Sequence, residues 1–128
     1  MIYLDSSVVL ARLFSEDVSP PDDLWAERVL SSRLLEYEVV NRLFAYRAST
    51  GVQEDARDLL GRIDFLDLDS MTLARALAPM PAGVRTLDGM HLATMEFLRS
   101  RGLPVELATY DRRMIEAARA MGFAVIDL

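Results

Sequence analysis

The amino-acid sequence predicts an α/β fold, a parallel sheet covered by helices on both faces. Three observations predict it. Short apolar runs alternate with segments of helical periodicity along the whole chain. The 128 residues, 52% of them hydrophobic, suit one compact domain spanning residues 1–128, with ample material for a core. No internal repeat, low-complexity tract or linker interrupts the alternation.

The first run, Ile2 to Leu4, is a strand that ends at Asp5-Ser6-Ser7, where favoured helix caps precede a helix from Val8 to Phe14. Ser15 to Asp23 is polar and contains prolines, as a loop does, and Leu24 to Arg28 is a short helical piece. Val29 to Ser32 is the second strand. From Arg33 to Ser49, Leu34, Leu35, Val39, Leu43 and Tyr46 recur at helical spacing. Gly51 punctuates, and a helix from Val52 to Ile63 turns Val52, Ala56, Leu59, Leu60 and Ile63 inward. Phe65 to Leu68 is a strand, Ser70 to Ala78 a helix capped by Ser70, and Pro79 to Gly83 a loop. A long helix from Asp88 to Arg101 stops at Gly102 and Pro104. Val105 to Thr109 is a strand, Arg112 to Met121 a helix stopped by Gly122, and Ala124 to Ile126 the last strand.

Composition narrows the function. There is no cysteine, so disulfides and thiolate metal sites are excluded. The net charge of −6 argues against a protein that coats nucleic acid through its global charge, but not against one that concentrates carboxylates in a pocket ringed by arginines. All 14 basic residues are arginine. A coding bias explains that most simply; bidentate phosphate recognition is the functional reading. The N-terminus lacks the pattern of a signal peptide and no run is long enough to span a bilayer, so a soluble, cytoplasmic protein is expected.

Parallel sheets bind ligands beyond the carboxyl ends of their strands. Asp5 ends the first strand, Asp111 follows the Val105–Thr109 strand, Asp88 starts the long helix, and Glu38 lies in the first turns of the helix after Ser32. Singly, each aspartate reads as a helix cap and Glu38 as a solvated helix residue. Yet Tyr37, Val39 and Val40 surround Glu38, and a charge facing the core there needs a partner. Four carboxylates at one sheet edge repel each other, and a divalent cation resolves the conflict. Oxygen ligands with a single histidine suit hard ions, Mg²⁺ or Mn²⁺, which activate water for displacement at phosphorus.

The residues that carry a resemblance are Tyr3-Leu4-Asp5-Ser6-Ser7, then Ser32-Arg33-Leu34 leading to Glu38-Val39 and Asn41-Arg42. Leu87-Asp88 with His91-Leu92-Ala93-Thr94 follows, and last Ala108-Thr109-Tyr110-Asp111-Arg112-Arg113 with Ala117-Ala118-Arg119 and Gly122. In these, nearly end to end, the chain resembles the PIN-domain ribonucleases, in particular the VapC-type toxins of toxin–antitoxin pairs. The resemblance implies a three-layer α/β/α sandwich around a parallel sheet of about five strands. It also implies Mg²⁺- or Mn²⁺-dependent RNA cleavage, homodimerisation, and inhibition by a small cognate antitoxin in a heterotetramer or larger assembly. Asp5, Glu38, Asp88 and Asp111 match the family's acidic positions, and Glu38 fits the register better than Glu36. Ser6 and Thr109 match positions whose hydroxyls support the metal or its water.

Beside the acids, His91 shares a helix face with Asp88 and reads as a packed, hydrogen-bonded histidine before it reads as a ligand. Arg112, Arg113 and Arg42 are candidates for RNA phosphate, as is Arg47. Met90, Met95, Phe97 and Leu98 read as core or dimer surface. A phosphoacceptor receiver is disfavoured because it relies on a lysine, and a haloacid-dehalogenase-type phosphatase because Ser7 stands where its second acid belongs. The alternative kept is a catalytically inactive PIN-like domain that binds RNA or a partner.

Overall fold

Five short strands, β1 (Ile2–Leu4), β2 (Val29–Ser32), β3 (Asp64–Leu66), β4 (Glu106–Ala108) and β5 (Ala124–Val125), form one sheet in the order β3-β2-β1-β4-β5. Every pairing is parallel. The computed structural model describes residues 1–14 and 17–128. Of the expected Ser15–Asp23 loop, positions 15 and 16 therefore lie outside the described residues. Among the described residues six α-helices connect the strands: α1 (Ser6–Phe14), α2 (Arg33–Ala45), α3 (Thr50–Leu60), α4 (Ser70–Leu77), α5 (Thr86–Ser100) and α6 (Arg112–Ala120). A 3₁₀ helix, Asp22–Ala26, precedes β2.

Strand alternation divides the core into two. Ile2 and Leu4 turn to one face, where they meet Val8 and Val9 of α1, Leu35, Val39 and Leu43 of α2, and Ala56 and Leu59 of α3. Tyr3 turns to the other, against Leu92, Met95 and Leu98 of α5 and Met114, Ala117 and Ala118 of α6. The result is the α/β/α sandwich with a five-stranded parallel sheet that the sequence led us to expect. Among the described residues no helix is long and apolar enough to cross a membrane.

Capping explains where the helices begin, and it corrects several expected boundaries. Ser32 caps α2 by accepting from Leu34 N–H, and Ser49 caps α3 by accepting from Val52 N–H. Consequently α2 stops at Ala45 rather than Ser49, and Arg47 takes the left-handed φ of 48° that turns the chain. The cap of α4 is Asp69, not Ser70: its Oδ1 accepts from Thr72 N–H at 2.8 Å. The long helix starts at Thr86, so Asp88 sits inside its first turn, where the helix dipole favours an acid, instead of capping it. Asp111 does cap α6, accepting from Arg113 N–H. The helical piece before β2 covers Asp22–Ala26 rather than Leu24 to Arg28.

The topology fixes where a site belongs. The chain builds outward from β1 first to β2 and β3, then to β4 and β5 on the other side. The order therefore reverses beside β1, and the crevice at the carboxyl ends of β1 and β4 is the switch point of the sheet. Asp5 N–H, donating 3.0 Å to the Ala108 carbonyl, ties the two strand ends together there.

Candidate active site

A cavity of about 450 Å³ opens at this crevice, and Asp5, Glu38, Asp88 and Asp111 all line it, with Ser6, Ser7, Arg42 and Arg85. The four acids come from four segments: the end of β1, the second turn of α2, the first turn of α5 and the cap of α6. A larger apolar cleft, about 560 Å³, lies between α2 and α3. Among the described residues its one carboxylate, Glu36, is paired with Arg33 at 2.9 Å. The smaller cavity is the one that gathers the acids.

Asp5 is buried, and two hydroxyls hold it. Ser7 Oγ and Thr109 Oγ1 each donate to Asp5 Oδ2 at 2.7 Å. Each hydroxyl has one hydrogen, so the 3.3 Å approach of Ser7 to Thr109 is a contact between two committed donors. Their lone pairs are used as well: Ser7 Oγ accepts from Tyr110 N–H and Thr109 Oγ1 from Asp111 N–H, both at 3.0 Å. Backbone amides after β4 thereby direct two hydroxyl hydrogens onto one carboxylate oxygen.

Glu38 is held on both oxygens. Ser6 Oγ donates to Oε2 at 3.2 Å, and His91 Nε2 lies 2.6 Å from Oε1. His91 itself is fully buried, and its Nδ1 is 2.8 Å from the Tyr3 hydroxyl. The partner that the apolar surroundings of Glu38 required is therefore an imidazole below it and a serine beside it. Tyr3 stays protonated, because burial raises its phenol far above the ordinary tyrosine range.

Asp88 shows what the acids do to one another. Its carboxyl is pushed up to about 6, by burial first, then by the charges of Asp5 and Asp111, while the Arg85 guanidinium acts in the opposite sense. Among the described residues no three carboxylate or imidazole groups already stand together as a closed ligand set for a metal. The donors nonetheless fit a hard cation. They are all oxygen, they face one cavity, and the raised Asp88 records burial and a repulsion, both of which positive charge offsets. Mg²⁺ commonly keeps several waters and takes only one or two carboxylates directly, so a closed cage is not required of such a site.

The other expected residues fall as follows. Ser6 and Thr109 reach Glu38 and Asp5 respectively. Arg42 lines the cavity and also donates to the Tyr46 hydroxyl at 2.9 Å. Arg112 and Arg113 are exposed at the start of α6 and do not line it, and Arg47 is exposed in the turn after α2. Met95 and Leu98 are core residues, with Met90 and Phe97 half-buried. Sequence reasoning assigned no site role to Arg85, nor to Tyr3 and Ser7, which it showed only as members of the first motif. Ser7 had a signal, two positions after Asp5; Arg85 had none beyond preceding a helix.

A sheet with this switch point and acids at its crevice describes a class, and comparison with known proteins gives the class its name. A family model described as PIN domain matches residues 2–120, and the chain belongs to that family. Among its curated relatives, Ribonuclease VapC46 of Mycobacterium tuberculosis (strain ATCC 25618 / H37Rv) is 35% identical over 132 residues, covering 98% of this chain and 95% of the relative. Ribonuclease VapC47 of Mycobacterium tuberculosis (strain CDC 1551 / Oshkosh) is 32% identical over 130 residues, covering 96% and 93%. A solved toxin–antitoxin complex from Klebsiella pneumoniae has the same fold, with a TM-score of 0.67 at 17% identity over 98% of this chain and 97% of that one.

Proposed function

We propose that the protein is a divalent-metal-dependent endoribonuclease, the toxin of a VapBC-like pair, with Asp5, Glu38, Asp88 and Asp111 as its metal-holding and catalytic carboxylates. One observation carries the reading: four acids from separate elements line a single cavity at the switch point of the sheet. The relatives, named as ribonucleases, supply the reaction class. Mg²⁺ or Mn²⁺ held by these acids supplies charge neutralisation at phosphorus and activation of the attacking water.

The chain's own residues do the rest. Ser7 and Thr109 keep Asp5 in one orientation, and Ser6 and His91 do the same for Glu38, so the ligand oxygens are set before substrate arrives. Arg42 and Arg85 put guanidinium groups at the cavity wall, where they receive the phosphates flanking the scissile bond. With an overall charge of −6, this local positive rim is what lets a polyanion approach the acids. A small antitoxin is the partner, and the working assembly is a homodimer that forms a heterotetramer or larger complex with it.

The test uses purified protein freed of antitoxin. It should cleave RNA with Mg²⁺ or Mn²⁺ and stop with EDTA. Asp5→Asn and Asp88→Asn should abolish cleavage while the fold persists by circular dichroism. Full activity in those variants sinks the assignment. Wild-type protein that binds RNA without cutting it, with either ion, replaces this reading with that of an inactive binding domain.

A further inference from the structure

The single histidine of the chain is wholly buried and yet touches the acidic cavity through Glu38. Its two ring nitrogens each face one polar partner. An ionised carboxylate only accepts, so the hydrogen between His91 Nε2 and Glu38 Oε1, 2.6 Å apart, belongs to Nε2. In the neutral imidazole Nδ1 is then an acceptor, and the Tyr3 hydroxyl at 2.8 Å donates to it. The Tyr3 oxygen in turn accepts from Ser32 N–H at 3.2 Å. The path from the Ser32 amide through Tyr3 and His91 to Glu38 is directional and leaves no polar atom of the imidazole idle.

Its members are placed by rigid parts of the fold. Tyr3 is in the central strand, Ser32 ends the neighbouring strand and caps the helix that bears Glu38, and His91 is one turn beyond Asp88 on α5. The rings of Tyr3 and His91 meet edge to face, 5.7 Å between centroids and 77° between planes. A buried imidazole placed only for packing has no need of two oriented polar partners; an apolar side chain would fill that space at lower desolvation cost.

We infer that His91 is a positioning residue for the metal site. Locked in its Nε2–H tautomer by Tyr3, it fixes the Glu38 carboxylate for cation binding and touches neither metal nor RNA. This rests on the metal-site reading above, and the experiment separates the two. Outer partners of ligating groups are worth roughly 10–100-fold in metal affinity.

Mn²⁺ binding is measured by electron paramagnetic resonance of the free ion with wild type, His91→Leu, His91→Gln and Tyr3→Phe, and folding is monitored by thermal unfolding. Leucine should lose roughly 10–100-fold in Mn²⁺ affinity. Glutamine, whose amide N–H lies near the place of Nε2, should recover most of it. Tyr3→Phe, which keeps the ring, should lose less than His91→Leu in the same direction, and it carries the test if the leucine variant does not fold. Because there is one histidine, long-range ¹H–¹⁵N spectra report its tautomer without assignment, and wild type should show Nε2–H.

Wild-type affinity in folded His91→Leu, or equal losses in His91→Leu and His91→Gln, overturns the positioning role while leaving the metal site standing. An Nδ1–H tautomer, a doubly protonated ring, or Tyr3→Phe indistinguishable from wild type in affinity, overturns the lock. Wild type that binds no Mn²⁺ overturns the metal-site reading and this inference with it.

Discussion

Thr109 Oγ1 donates to Asp5 Oδ2 at 2.7 Å across 104 positions of sequence, joining the end of β4 to the end of β1. Ser7 gives a second hydrogen bond to the same oxygen. Both donors are themselves oriented by backbone amides, those of Asp111 and Tyr110. The orientation of Asp5 is thus inherited from the strand pairing itself, and it persists as long as β1 and β4 stay in register.

Thr109→Val keeps the shape of this buried side chain and removes its hydroxyl. Asp5 then loses one charge-assisted donor and Asp111 N–H its acceptor. Metal-free stability should fall by about 1–3 kcal/mol, read by urea denaturation in EDTA. Ser7→Ala should act in the same direction, by less, because Ser7 is only half-buried. Unchanged stability in Thr109→Val would show that the hydroxyl contributes nothing to holding Asp5.

A second expectation concerns pH. The Asp88 carboxyl stands at about 6 in the folded protein, against about 3.9 for a free aspartate. The folded state therefore holds this proton more tightly than the unfolded state does. The stability so gained is complete below about pH 4 and is lost as pH rises through about 6. Thermal melts in EDTA should decline over that window. Asp88→Asn should flatten the decline and melt above wild type at neutral pH; a parallel profile would contradict an Asp88 carboxyl raised by burial and by the neighbouring acids. Saturating Mg²⁺ should stabilise wild type more than the variant at neutral pH.

Arginines at the cavity wall should matter more to RNA than those beyond it. Arg42→Ala and Arg85→Ala are each expected to weaken RNA binding and to lower the salt slope by about 0.7 for single-stranded substrate. Arg112→Ala and Arg113→Ala, at the exposed start of α6, should do less. Filter binding over a range of salt, in the Asp88→Asn background to prevent cleavage, makes the comparison; equal losses at all four positions would remove the cavity rim from the substrate path.

The last prediction is structural. Gly122 ends α6 at φ +83°, and a Cβ there would come within 3.5 Å of Arg99 Nη1. Arg99 also donates to the Met121 carbonyl at 2.7 Å and lies over the Phe123 ring. Gly122→Ala should cost about 1–2 kcal/mol, mainly the left-handed backbone penalty, seen as a lower urea midpoint at unchanged slope. Wild-type stability would mean that the turn relaxes.

Several features were legible because their physics is local. Apolar runs and helical periodicity mark elements that must bury a face, and Gly102 and Gly122 mark stops by their freedom at positive φ. The aspartates after strands were visible for the same reason. Boundaries were less legible where two good caps adjoin: Asp69 and Ser70 differ only in which one reaches the amide of Thr72. Asp88 looked like a cap because acids favour both the cap and the first turn, and sequence alone does not separate the two.

By itself, then, the sequence determined the α/β class, the parallel order implied by alternation, and the four acids as candidates. Tertiary structure decided which groups face one another. It paired Glu36 with Arg33 and turned Glu38 to His91 and Ser6; it put Ser7 and Thr109 on one oxygen of Asp5; and it brought Arg85 rather than Arg112 to the cavity. The reason is that a hydrogen bond needs its two atoms within about 3 Å and suitably aligned. Residues 88 or 104 positions apart, such as Tyr3 and His91 or Asp5 and Thr109, meet that condition only once strand register and helix packing have set their backbones.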